Sequence, residues 1–304
     1  MPRAIVFTEY GDADVLTLTE VPLPEPGPGQ VRVRVHASGV NPMDWKIRRG
    51  YLSGGKAIDG PQPTGLELAG VVDAVGDGVE GFAVGDRVAG GASGTAAEYV
   101  LVGPDDIVPL PDSIDFVTGA GIKVAGTTAI RVLQLTKLHE GQTLLLHAAT
   151  GGVGSFTTQL AKARDATVIG TTSQANVEYL RSLGAIPVLY GDGWEDRVRE
   201  AHPGHIDAVI DAAGTGVIEG SLGLVVEGGP VVTIADFEAK GFNVIVTTGG
   251  EPGFEDSLRE AVKAVDHGTV KLEIAQTFPL EQAAEAHRLS ESGHVRGKII
   301  LTLD

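Results

Sequence analysis

The segment "LLLHAATGGVGS", residues 144–155, sets Gly151, Gly152 and Gly154 between an apolar run and a stretch with helical spacing. Glycine is needed where a backbone turns tightly or must approach a ligand with no Cβ in the way. A strand, a glycine turn and a helix in that order can hold a diphosphate, because the unpaired amides at the helix start carry partial positive charge. Thr150, Gly151, Gly152, Val153 and Gly154 are thus the candidate cradle of a dinucleotide. The competing account is a turn that uses glycine only for its conformational freedom. A second strand at the right distance downstream favours the cofactor.

That second strand bears on which dinucleotide. An acidic residue about 20 positions beyond the glycines would bind the ribose hydroxyl of NAD. Here the strand ends Thr171-Thr172-Ser173-Gln174, and the first acid is Glu178. A carboxylate would repel a 2′-phosphate, whereas hydroxyls donate to one. Thr172, Ser173, Asn176 and Tyr190 are the candidate phosphate ligands, and NADPH is the expected cofactor. No arginine stands in this tip, and Ser173 before "QANVEYL" also reads as a helix cap. Ala212–Ala213 and Ile234–Ala235 fall at the ends of later strands, where small side chains leave room for a nicotinamide ribose. Compact core packing explains them equally well.

These residues need a scaffold. From about residue 125, "TLLLHAA", "ATVIGTT", "IPVLYG", "IDAVIDAAG", "GPVVTIAD" and "FNVIVTT" read as short apolar strands. Helical stretches such as "GSFTTQLAKARD" and "GWEDRVREAHP" separate them. That alternation predicts βαβ units and a parallel sheet covered on both faces. The first hundred residues instead read as antiparallel strands with Gly and Pro between them. In "QVRVRVHASGV", Val31, Val33 and Val35 alternate with Arg32, Arg34 and His36, one face buried and the other solvated. After about 265 a strand, a helix and a strand resemble the first segment more than the second. The expected architecture is α/β: a doubly wound domain over 125–264, inserted into a β-rich domain made of 1–124 and 265–304.

Charge and composition narrow the partners. Lys and Arg number 23 against 40 Asp and Glu, a formal charge of −17. Such a chain is repelled by nucleic acid and by anionic membrane, and solubility is the plain account of its charge. With no cysteine, disulfides, thiolate zinc sites and cysteine nucleophiles are excluded together. No apolar leader follows a basic start, and no run approaches the ~18 apolar residues of a membrane helix, so a cytoplasmic protein is expected.

The succession "NPMDWKIRRG", "GLELAGVV", "VGDRV", "AAEYV", "AGTTAIRVL", "HAATGGVG", "TTSQANVEYLRSLGA" and "HVRGKIIL" resembles the zinc-independent quinone oxidoreductase branch of the medium-chain dehydrogenase/reductases. The likeness spans nearly the whole chain. It implies a GroES-like catalytic domain, a Rossmann domain, a cleft between them, NADPH and a homodimer. Typical members reduce quinones or the C=C bond of enones. The resemblance also implies roles for single residues. Asn41 matches an Asn near the nicotinamide, Tyr51 a tyrosine at the substrate cleft, and Thr127 a threonine near the cofactor. Tyr190 matches a tyrosine near the 2′-phosphate. A turn residue, a surface tyrosine and a helix-start cap are the duller accounts of the first three. Relatives commonly carry Lys at the position of Asn176, so the preference for NADPH is softened here.

The zinc-dependent alcohol dehydrogenases of the superfamily place cysteine at Asn41 and histidine at Leu66. Leu cannot ligate zinc and neutral Asn is a poor ligand, so no metal is expected. Without a Lewis acid, a quinone or enone remains reducible because conjugation spreads the charge left by an arriving hydride. The protein then needs positioning and donors aimed at a carbonyl oxygen. Two other readings stand beside this one: an enoyl thioester reductase, and a cofactor-binding protein with regulatory or lost activity.

Overall fold

A computed structural model describes residues 1–214, 216–241 and 243–303. The chain divides into two compact units, Met1–Val124 with Ile274–Asp304, and Ala125–Glu273. The 264/265 boundary expected from sequence falls inside the helix Ser257–Asp266, which belongs to the second unit.

In the second unit six parallel strands lie in the order Ile186–Leu189, Thr167–Thr172, Thr143–His147, Ala208–Asp211, Val231–Thr233, Val244–Val246. This is the doubly wound order, with the first strand central and the winding reversing beside it. Leu144, Leu145 and Leu146 are all fully buried. Leu144 and Leu146 pack into one hydrophobic cluster and Leu145 into another, because successive strand residues point to opposite faces. A continuous apolar run is what a sheet covered on both faces requires.

The first unit holds a seven-stranded sheet and a three-stranded one. Its central strand, Val31–Val40, pairs antiparallel with Glu67–Val75, Tyr99–Val102 and Lys298–Thr302. The registers Gly39↔Glu67 and Val40↔Ile299 bring the C-terminal end of the central strand against Glu67 and the start of the final strand. Val31, Val33 and Val35 are buried as the alternation requires, but Arg32 is only 8% exposed. Its Nε and Nη2 donate to Asp73 at 2.8 and 3.2 Å, and Nη1 to the Pro24 carbonyl at 2.9 Å. Partners from a neighbouring strand and from the proline-rich segment let this charge be covered. The terminal pair Ile274–Pro279 and Lys298–Thr302 is parallel rather than antiparallel, joined through the helix Ala283–Glu291. Among the described residues, no helix is long and apolar enough to cross a membrane.

Candidate cofactor and substrate site

The glycine turn opens the helix Gly152–Lys162, with Gly151 at its N-cap. No side chain caps this helix, so its first amides are left for a ligand at the C-terminal end of the central strand. The glycines do not serve positive φ. That conformation falls on Ala148, at φ 56°, one residue past the strand. Gly154 instead permits close packing: a Cβ there would lie 2.2 Å from the Ala148 carbonyl oxygen. Around Gly151 the nearest atom to a Cβ would be 3.5 Å away, an open surface that a diphosphate can approach. Val153 is half-buried beside it. The residues present therefore fit a dinucleotide.

Thr150 is buried and its hydroxyl lies 3.2 Å from that of Thr172, tying the turn to the end of the next strand. Ser173 occupies an N-cap position, but its hydroxyl makes no capping bond. Asn176 begins the short helix Val177–Ser182, and its side chain also caps nothing. Tyr190 is 53% exposed, and its amide donates to the Thr172 carbonyl at 3.2 Å. Thr172, Ser173, Asn176 and Tyr190 thus gather at one end of two adjacent strands.

Ala212, Ala213, Ile234 and Ala235 are half-buried at the ends of the next two strands, held by a network with no counterpart in the sequence reading. Buried Asp211 accepts from the Ala213 and Gly214 amides at 2.8 and 2.9 Å and from the Thr233 hydroxyl at 2.7 Å. The Thr233 hydroxyl in turn accepts from the Ala235 and Asp236 amides. One carboxylate thereby shapes both small-residue ends. His147 is buried between the hydroxyls of Ser221 and Thr171, edge-on to Trp194. Burial pushes its imidazole down to about 4, a structural setting rather than a ligand's. Thr127 is the sixth residue of the helix Ile122–Thr136, which rules out the cap account of it.

In the first unit Asn41 caps the helix Pro42–Arg48 in a reciprocal arrangement with Asp44, whose carboxylate accepts from the Asn41 amide at 2.7 Å. Asp44 also walls a cavity of about 100 Å³ with Ile47, Gln62, Thr64, Leu66 and Ser93. Burial, and to a lesser degree the Glu67 charge, pushes the Asp44 carboxyl up to about 7. Tyr51 is 67% exposed and meets Trp45 edge-on at 5.9 Å. Lys123 donates to the Leu66 carbonyl at 3.3 Å and lies over Gly91, where a Cβ would come within 2.8 Å of its Nζ.

Beside Asn41 lies a buried ionic cluster that sequence reasoning missed. Glu67 is fully buried and Lys298 is 4% exposed. The Lys298 ammonium donates to Glu67 Oε1 and to Asn41 Oδ1, each at 2.5 Å, and Asn41 Nδ2 donates to Glu67 Oε1 at 2.8 Å. The other Glu67 oxygen accepts from the Val124 amide at 2.8 Å, in the first turn of the helix Ile122–Thr136. Gly39 makes room for this carboxylate, since a Cβ there would sit 2.2 Å from Oε1. A zinc ion does not fit these residues. Leu66 offers no donor atom, and the Asn41 and Glu67 oxygens already hold the chain's own cation.

Comparison with known proteins agrees with this arrangement. Residues 27–112 match the alcohol dehydrogenase GroES-like domain and residues 183–301 the zinc-binding dehydrogenase family. The chain is 33% identical to the quinone oxidoreductase of Mus musculus, covering 99% of this chain and 98% of that one. It is also 33% identical to an NADPH-dependent alkenal/one oxidoreductase, chloroplastic, of Arabidopsis thaliana, over 98% of this chain and 79% of the other. The Escherichia coli quinone oxidoreductase, solved in complex with NADPH, superposes with a TM-score of 0.89 at 28% identity, covering 99% and 100% of the two chains. With its Rossmann sheet inserted in a GroES-like domain, the chain is an oxidoreductase and belongs to the quinone oxidoreductase branch of the medium-chain dehydrogenase/reductase superfamily.

Proposed function

We propose that the protein is an NADPH-dependent, zinc-independent reductase of quinones and α,β-unsaturated carbonyls. The observation that carries this reading is the uncapped start of the helix Gly152–Lys162 at the end of the central parallel strand, where the winding of the sheet reverses. The names of the mouse and Arabidopsis relatives and the NADPH complex of the E. coli enzyme support it. When bound, the cofactor supplies a hydride from its nicotinamide.

The chain's own residues bind and orient. Amides of 151–154 hold the diphosphate, with Thr150 fixing the turn. Thr172, Ser173, Asn176 and Tyr190 receive the 2′-phosphate, and the run 171–176 carries no carboxylate to repel it. Ala212, Ala213, Ile234 and Ala235 leave room for the ribose, and Thr127 lies at the cofactor. Asn41 and Tyr51 donate to carbonyl oxygen, which suffices for an acceptor that delocalises its own charge. The active form is a homodimer by likeness to the family, and mass from light scattering checks it.

The test is oxidation of NADPH and NADH with a panel of quinones, enones and enoyl thioesters. Turnover with quinones or enones, faster with NADPH, is the expected result. Turnover confined to enoyl thioesters would replace the substrate class. Tight NADPH binding with no turnover would make this a binding protein.

A further inference from the structure

We propose that Lys298 is a positioning residue for Asn41: together with Glu67 it fixes which way the Asn41 carboxamide faces. In the sequence Lys298 belongs to the closing motif "HVRGKIIL", where a strand-end role accounts for it. The structure buries it and gives its ammonium two partners, Glu67 Oε1 and Asn41 Oδ1.

A side-chain amide has one acceptor end and one donor end of nearly the same shape, so packing alone does not choose between its two orientations. Here the chemistry chooses. The acceptor end faces an ammonium, which only donates. The donor end faces a carboxylate, which only accepts. Turning the carboxamide over would set NH₂ against Lys298 and oxygen against Glu67, losing both bonds in a buried site. The backbone amide of Asn41 is taken by Asp44, and the carboxamide is 3% exposed as part of its residue. With Oδ1 bonded to Lys298 and one Nδ2–H given to Glu67, the second Nδ2–H is the donor left for a ligand. An ammonium on the amide oxygen also polarises that N–H, since linked hydrogen bonds strengthen one another.

This assignment rests on the reading that Asn41 serves the reaction, and a double-mutant cycle separates the two. The charge-neutral pair variant K298M/E67Q and the single variant K298R are compared with wild type, N41A and their combinations with N41A. Quinone-dependent NADPH oxidation gives kcat and KM, fluorescence gives the NADPH Kd, and thermal melting reports folding. The pair variant is expected to lower kcat at least tenfold with the NADPH Kd changed less than threefold. In the N41A background the same change should move kcat by less than twofold. K298R retains the charge on a broader head, so it is expected to fold and to show a smaller kcat loss that also vanishes in N41A. Equal losses in both backgrounds, or an unchanged kcat, would overturn the proposal. Asparagine-selective ¹⁵N labelling gives a readout independent of turnover. The Asn41 carboxamide pair, identified by its disappearance in N41A, should shift in K298R; an unmoved signal overturns the positioning role even if the wild type reduces no quinone.

Discussion

The two units build their candidate sites by opposite means. The second builds its candidate surface from backbone: uncapped amides, a glycine packed on a carbonyl, and small residues at strand ends shaped by Asp211. The first builds from buried charge, with Glu67 joining Asn41, Lys298 and a helix start. A backbone site is rigid and tolerant of changes to most nearby side chains. A charged cluster depends on every member, since removing one leaves another charge buried and alone.

The largest effect that would sharpen this contrast is Glu67→Ala. It leaves the Lys298 ammonium without its carboxylate and should cost about 3–5 kcal/mol, measured by denaturant unfolding. A loss under 1 kcal/mol would show the cluster to be no hub. Next is Gly154→Val, which forces a side chain against the Ala148 carbonyl. Overpacking of this kind costs roughly 1–3 kcal/mol, and NADPH binding by fluorescence should vanish with it. Unchanged binding would break the account of the turn. Ser173→Asp is smaller: a carboxylate beside the 2′-phosphate should weaken NADPH by about tenfold, near 1.4 kcal/mol, and leave NADH nearly unaffected. Equal loss of both would move the phosphate elsewhere.

The smallest effect separates the units by pH. His147 in the second unit and His287 in the first are both pushed down to about 4 by burial. Each binds its proton less readily folded than unfolded, so stability is lost as pH falls from about 6.5 towards 4. Asp44 has the opposite sign. Its raised value means the folded state holds a proton the unfolded chain releases, so its contribution grows as pH falls from about 7 towards 4. Asp44 therefore offsets His287 within the first unit, while His147 lies in the other unit. Hydrogen exchange at pH 5 should show the strand Thr143–His147 losing protection before Val31–Val40. Asp44→Asn should remove the difference.

The second unit was the more legible in sequence, and the reason is local. Strand, glycine turn and helix are contiguous, so the pattern of residues 144–162 sets that geometry without distant partners. The parallel sheet covered on both faces followed from the alternation of apolar strands and helices. Two details escaped even there: Ala148, not a glycine, takes the positive φ at this turn, and Asp211 is what shapes the strand ends. In the first unit the signals lie far apart. Glu67 and Lys298 are separated by 231 positions, and only the registers of three strands bring them together. The signal that would have found them was a charged residue opening each of two apolar strands, "ELAGVV" and "KIILT", beside a central strand whose penultimate residue is Gly39. Arg32 misled for the same reason: the residues that cover it come from elsewhere in the chain.

The distance between Glu67 and Lys298 along the chain also sets an order of events during synthesis. Residues 125–273 form one unbroken stretch, and that unit can close as soon as it clears the ribosome. The flanking unit has to wait with a bare carboxylate at position 67, because the cation that neutralises it emerges more than two hundred residues later. The nascent protein thus carries a finished inserted unit well before the unit around it can close.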